Sequence, residues 1–230
     1  VTRQLTLDLG HRAARGRSDY LVSGSNAEAV EWIDRWPDWP VRALVIWGPA
    51  ASGKTHLGHV WCDVSGAERI LPDDVRASDA GELRQRNTCF FLDDADKLSG
   101  DATGEEALLH LYNYMLETDG ALLLTAEKAP AFWPVALADL SSRMKALQGS
   151  GIAPPDDSLL AALLVKQFQD RQLRIGEEVI AYLVPRMERS FEAVSRIVAA
   201  IDAMALERLR PVTVPLARDV LDQMGGSAAS

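Results

Sequence analysis

Cysteine is nearly missing from this chain. Cys62 and Cys89 are the two in 230 residues, each among apolar neighbours. Two thiols build neither a four-ligand zinc site nor a disulfide framework, and a reducing cytoplasm suits such a chain best. Histidine is also scarce: the four residues form no cluster, and His56 and His59, three apart, are not a metal site by themselves. Long apolar runs are lacking; segments such as Leu159 to Val165 fall far short of the roughly 20 residues of a membrane span, so no membrane association is expected. The first twenty residues carry Arg3, Arg12, Arg15 and Arg17 but no continuous apolar stretch of the secretory kind. Basic charge is in deficit, with 24 Lys and Arg against 33 Asp and Glu, a net −9. That balance argues against a surface coated for non-specific phosphate binding, so contact with DNA is expected only locally or through a partner. What the chain does hold, 47% hydrophobic and 25% charged residues, is the usage of a globular protein with a sizeable core. Its length suits one large domain, or a large one with a small companion.

Ala43 to Trp47 is a short apolar run of β formers, followed at once by a glycine loop and a helical stretch to about Val64. Further short runs lie at Arg69 to Leu71, Cys89 to Leu92 and Ala121 to Thr125, with a helical stretch from about Glu105 to Glu117 before the last. Strands alternating with helices predict an α/β domain with a mostly parallel sheet. Pro154-Pro155 punctuates the chain, and no buried strand is expected after it. Helices are predicted over 156–172, capped by Asp156 or Asp157, and at about 177–187, 190–209 and 214–224. These readings divide the chain into an extended segment 1–18, an α/β domain 19–155, a helical domain 156–224 and a disordered tail 225–230.

Gly48 and Gly53 bracket four residues and are followed by Lys54 and Thr55, which satisfies G-x-x-x-x-G-K-[ST] in its strand-to-helix context. In such a loop the backbone curls so that N–H groups face a triphosphate, the lysine reaches β and γ oxygens, and the helix start adds positive potential. Gly48, Pro49, Ala50, Ala51, Ser52, Gly53, Lys54 and Thr55, with His56 next on the helix, are the expected phosphate site for ATP or ADP. The Thr55 hydroxyl is also expected on Mg²⁺. Cys89-Phe90-Phe91-Leu92-Asp93-Asp94 is an apolar strand ending in carboxylates, the Walker B arrangement. Asp93 is expected to order hydrated Mg²⁺, and Asp94 to orient or deprotonate the attacking water. Aspartate reaches less far than glutamate there, so weak unaided hydrolysis is expected. Thr125, at the end of the next strand, is the candidate sensor of the γ-phosphate, with Glu127 as the alternative; a strand-terminal threonine also serves simply as a β former.

Taken in order, these motifs resemble the AAA+ ATPases, in particular the DnaA-like branch and its Hda family, which regulates the replication initiator DnaA. Besides the two nucleotide motifs, the resemblance rests on Asp19-Tyr20-Leu21-Val22-Ser23-Gly24-Ser25-Asn26, Asp139-Leu140-Ser141-Ser142-Arg143 and Arg189-Ser190-Phe191. It implies an AAA+ P-loop fold with a parallel five-stranded sheet followed by a small all-helical lid. It implies that Leu21 and Val22 contact the base, and that Arg143 is an arginine finger presented to a neighbouring subunit's nucleotide. The family places a sensor arginine after Arg189-Ser190-Phe191, where this chain has Glu192, with Arg189 and Arg196 as the arginines nearby. The departure leads us to expect weak coupling of the lid to a γ-phosphate and a preference for ADP.

Gln4-Leu5-Thr6-Leu7-Asp8-Leu9 alternates leucines ahead of the predicted domains. Read as chemistry, an extended hexapeptide seats Leu5, Leu7 and Leu9 in an apolar groove while the Gln4 amide is hydrogen-bonded. It resembles the sliding-clamp motif carried by the Hda family; an edge strand of the chain's own sheet would show the same alternation. The expectation is a cytoplasmic negative regulator of replication initiation. It would hold adenine nucleotide, bind the DNA polymerase sliding clamp (the beta subunit), reach DNA only through the clamp, and stimulate hydrolysis by DnaA, with homo-oligomers allowed. The alternative is an AAA+ ATPase acting on DNA directly, such as a helicase loader or truncated initiator. Initiators of this branch carry a helix-turn-helix module after the lid, for which the sequence leaves no space before Ser230, and the lid has no basic run.

Overall fold

The fold is described by a computed structural model over residues 20–77 and 86–227. The expected clamp-binding residues Gln4, Leu5, Leu7 and Leu9 lie outside the described residues. The chain divides into two compact units, Val1–Ala153 and Pro154–Ser230.

The first unit is a parallel sheet between helices. Strands β1 (Ala43–Trp47), β2 (Glu68–Ile70), β3 (Cys89–Leu92), β4 (Ala121–Ala126) and β5 (Gln148–Gly151) lie in the order β2-β3-β4-β1-β5. All four pairings are parallel, as the expected five-stranded α/β fold requires. The helices are α1 (Ala27–Asp34), α2 (Lys54–Ser65), α3 (Pro72–Ala77), α4 (Ala102–Glu117) and α5 (Ala138–Lys145). Because side chains alternate across a strand, one sheet face turns Val45, Phe90, Leu92, Leu122 and Leu124 into a core with Leu108, Leu111 and Met115 of α4. The opposite face carries Leu44, Ile46, Phe91, Leu123 and Thr125, every one of them fully buried. Phe91 packs so closely on α2 that a Cβ at Gly58 would stand 2.0 Å from its ring. β5, Gln-Gly-Ser-Gly, was not located by sequence pattern. Its place beside β1 needs a glycine, since a Cβ at Gly149 would lie 1.9 Å from the Val45 carbonyl oxygen.

The second unit is all helical: α6 (Asp157–Asp170), α7 (Glu177–Leu183), α8 (Phe191–Glu207) and α9 (Val214–Ser227). Asp156 caps α6 by accepting from Leu159 N at 2.8 Å, and Ser190 caps α8 by accepting from Ala193 N at 3.1 Å. Leu160, Leu164 and Phe168 of α6 meet Val194, Ile197, Val198 and Ile201 of α8 and Ala217 and Val220 of α9 in one core. Their three- and four-residue spacing is that of helices buried along one stripe. The last helix continues through Ser227, past residue 224 where it was expected to end. Gly225 and Gly226 stand in this helix at a propensity cost of about 1 kcal/mol each.

Candidate functional site

The site forms where β1 ends and α2 begins. Gly48 N donates to Ala126 O at 3.1 Å, fastening the start of the loop to the end of β4. The chain then turns through Ala51 at φ 59° and Gly53 at φ 88°, both in the left-handed region. Glycine is required at 53 for a second reason: a Cβ there would stand 2.8 Å from the Tyr20 ring. α2 begins at Lys54 with Gly53 as its N-cap, which offers no side chain to its first N–H groups. Those donors and the dipole behind them are the positive end of a helix set up for an anion. Ser52 Oγ is buried with no hydrogen-bond partner among the described residues, an unspent polar atom in the same loop. Residues 50–55, with Asp94 and Glu127, line a cavity of about 350 Å³, large enough for the phosphates of a nucleotide.

Lys54 Nζ is folded back on its own loop, donating to Gly48 O and Pro49 O at 2.8 Å each. Burial pulls its pKa down, while Asp94, Glu127, Asp93 and Asp96 oppose that shift. The lysine thus has two donors on the loop and one free to meet an anion.

Asp93 stands at the end of β3 with both oxygens engaged. Oδ1 accepts from Thr125 Oγ1 at 2.5 Å and from Thr55 Oγ1 at 3.1 Å; Oδ2 accepts from Arg69 Nη2 at 2.7 Å. Burial acts to raise its pKa, but the bonds from Thr125, Arg69 and Thr55 outweigh it and hold the carboxyl below its ordinary value. Thr55 and Asp93 thus present a hydroxyl and a carboxylate side by side, the oxygen donors that a hydrated Mg²⁺ takes beside phosphates, so the residues fit that ion. Among the described residues no group of three or more His, Cys, Asp or Glu side chains is placed to hold a metal ion.

Thr125 is fully buried and stands behind Asp93, linking it to Asp94: its hydroxyl donates to Asp93 and accepts from Asp94 N at 3.0 Å. Glu127, the alternative sensor, lines the cavity itself, and its N–H donates to Asp96 Oδ2 at 3.0 Å. Asp94 adopts the left-handed conformation, φ 58°, and pairs with Lys97 Nζ at 2.7 Å. Burial pushes the Asp96 carboxyl above its usual value, with Asp94 and Glu127 adding to the shift against its backbone hydrogen bonds.

The segment before α1 is pinned by Asn26, which accepts from Ser23 N and donates to Leu21 O, both at 2.8 Å. Leu21 and Val22 are half-buried in it. Tyr20 stacks on His56 with ring centroids 5.4 Å apart, which lays this segment against the phosphate loop. Burial drives the Tyr20 hydroxyl far above its usual pKa. Arg143 is away from these groups, on α5. Its Nε and Nη2 donate to Asp139 Oδ1 and Oδ2 at 3.0 and 3.2 Å, and its guanidinium lies 5.6 Å from the centre of the Tyr112 ring.

In the helical unit, Glu192 is exposed in the first turn of α8, where a carboxylate complements the helix dipole. Arg189 pairs with Asp157 at 2.9 Å and Arg196 with Glu188 at 3.3 Å, all within that unit. Two residues of the first unit were missed from sequence: Arg69 on Asp93, and Tyr20 on the loop. Tyr20 belongs to the stretch that carries the resemblance; nothing in the sequence marks Arg69. No helix among the described residues is long and apolar enough to cross a membrane.

Comparison with known proteins agrees with this architecture. The family model described as Hda, lid domain, matches residues 156–221. Domain III of the Thermotoga maritima replication initiation protein DnaA superposes with a TM-score of 0.74 at 16% identity, over 89% of this chain and 94% of that one. The replication initiator DnaA bound to AMPPCP and single-stranded DNA gives a TM-score of 0.67 at 19% identity over 83% of this chain. AMPPCP-bound DnaA from Aquifex aeolicus gives 0.65 at 19% identity over 82%. This chain spans 65% of the length of either of those two nucleotide-bound initiator structures. Residues 156–221 thus match the Hda lid domain, and the chain as a whole shares the fold of DnaA domain III.

Proposed function

We propose that this protein is a negative regulator of replication initiation that holds adenine nucleotide, binds the polymerase sliding clamp through Gln4, Leu5, Leu7 and Leu9, and stimulates ATP hydrolysis by DnaA through Arg143. The observation that carries the reading is the Hda lid match at 156–221. The loop geometry supports the nucleotide part: uncapped N–H groups at the start of α2, the orphaned Ser52 hydroxyl and Lys54 converge on one cavity. Leu21, Val22, Tyr20 and His56 flank that loop as the base side of the site. Bound Mg²⁺ supplies neutralisation of phosphate charge. The chain's own residues do the holding: Thr55 and Asp93 offer oxygens to the ion, Thr125 fixes Asp93, and Asp94 faces the cavity as the orienter of water. Aspartate at 94 reaches less far than glutamate would, so unaided hydrolysis by this protein is expected to be slow.

Arg143 acts in trans. Guanidinium stays charged and forks onto phosphate oxygens as negative charge develops, and one such group accelerates phosphoryl transfer by roughly 10³ to 10⁵-fold in well-studied NTPases. An exposed i,i+4 pair like Arg143 with Asp139 is worth about 0.3–0.5 kcal/mol, so the resting contact is easily released.

The test is a reconstituted assay with ATP-loaded DnaA and clamp on DNA. Added wild-type protein speeds hydrolysis only when clamp is present, and Arg143→Ala binds clamp yet gives no acceleration. Leu7→Ala with Leu9→Ala loses both clamp binding and acceleration. Full stimulation by Arg143→Ala, or stimulation independent of clamp, refutes the corresponding part.

A further inference from the structure

Arg69 has no part in the reading above. β2 is an edge strand of three residues, and its register sets Arg69 opposite Phe91 of β3. Alternation then places Arg69, Phe91 and Asp93 on one sheet face, while Asp93 N donates to Ile70 O at 3.2 Å and holds β2 alongside. Arg69 Nη2 thereby reaches Asp93 Oδ2 at 2.7 Å. An arginine at a strand edge ordinarily pairs in water, where the pair is worth little. Here the aspartate side chain is 5% exposed and the arginine 39%, so one partner is buried and the bond belongs to the stronger charge-assisted class. The other oxygen already takes two hydroxyls. The carboxylate that would hold water on a hydrated cation is therefore committed at both oxygens, and its charge is balanced by a group that does not deprotonate.

We propose that Arg69 is an internal counter-ion of Asp93 that takes over part of the charge neutralisation Mg²⁺ otherwise supplies, so that this protein holds a nucleoside diphosphate with little dependence on Mg²⁺. The inference rests on the nucleotide-binding reading of the loop. Arg69 pairs with Asp93 as Lys97 pairs with Asp94, so each carboxylate of the Asp93-Asp94 step has a cation of its own, and removing Arg69 returns Asp93 to the metal ion.

Calorimetric titration of the full chain with ADP, in millimolar Mg²⁺ and in EDTA, tests it. Wild-type Kd is expected to change by less than about threefold between the two conditions, whereas the Arg69→Gln ratio widens to about tenfold or more, one charge-assisted bond's worth. Arg69→Lys keeps the charge and follows wild type. A tenfold loss of wild-type affinity in EDTA overturns the proposal. So does an Arg69→Gln protein that melts at a lower temperature but keeps the wild-type ratio, the behaviour of a merely structural strand-edge contact. If Arg69→Gln fails to fold, the wild-type ratio and Arg69→Lys decide. A wild-type protein that binds no ADP in either condition brings down the functional reading itself, whereas strong binding that needs Mg²⁺ overturns Arg69's role alone.

Discussion

At the scale of single residues, Lys54 is the clearest case of a side chain whose packing and chemistry coincide. It is 7% exposed, and its ammonium is held by the loop carbonyls of Gly48 and Pro49. Hydrogen bonds to charged groups are worth about 1.5–3 kcal/mol, so Lys54→Ala is expected to weaken ADP binding by roughly 10- to 150-fold in a titration, while the circular-dichroism melt stays cooperative. Asp139 is a weaker matter. Its pair with Arg143 is solvent-exposed and contributes about 0.5 kcal/mol, so Asp139→Ala is expected to change DnaA stimulation by about twofold at most. A tenfold change in the reconstituted assay would mean that the pair positions Arg143 rather than merely resting it. Lys54 and Asp93 are marked in the sequence by motif spacing, and Arg143 by resemblance alone. Arg69 is not marked, because a lone arginine in a three-residue strand looks like any solvated charge until register brings it to its partner.

At the scale of elements, two close contacts hold the site's framework. α2 lies on β3 through Gly58 and Phe91, and a methyl at 58 would overlap a ring that is fully buried. Gly58→Ala is expected to destabilise the protein by about 1–3 kcal/mol, read as a lowered melting temperature, despite alanine's better helix propensity. Unchanged stability would show that Phe91 moves aside freely. Glu105, in the first turn of α4, binds backbone instead: it accepts from Gly100 N at 2.8 Å, Ala136 N at 3.0 Å and Leu137 N at 2.7 Å. Burial would raise its pKa, but those three N–H groups prevail and hold it below the ordinary 4.5. A carboxyl depressed on folding stabilises fully above its unfolded pKa and loses that contribution as pH falls through the folded value. Glu105→Gln, whose amide turns a donor toward N–H groups, is expected to cost about 1–3 kcal/mol near neutrality. The gap from wild type should close as the pH is lowered below about 4, which melts measured across that range will check. A gap that stays constant with pH would remove the charge from the explanation.

At the scale of the whole molecule, the chain is two units, each with its own core. The second unit has a core of its own, built from four helices of which α6 and α8 carry side-chain caps, so residues 154–230 expressed alone are expected to fold, giving helical circular dichroism and a cooperative melt. A featureless melt would show that the lid depends on the first unit. The sequence alone determined the alternation of strands and helices, the phosphate loop, the acidic end of β3 and the helical character of the second unit, since each follows from local periodicity or from residues adjacent in the chain. It did not reveal β5, whose Gln-Gly-Ser-Gly carries no strand signature and pairs only because glycine lets it approach Val45. Nor did it show that Thr125 braces Asp93, that Tyr20 covers the loop or that Arg69 neutralises the carboxylate. Those contacts join residues tens of positions apart, and strand register and close packing, which chain order does not encode locally, decide which of them meet.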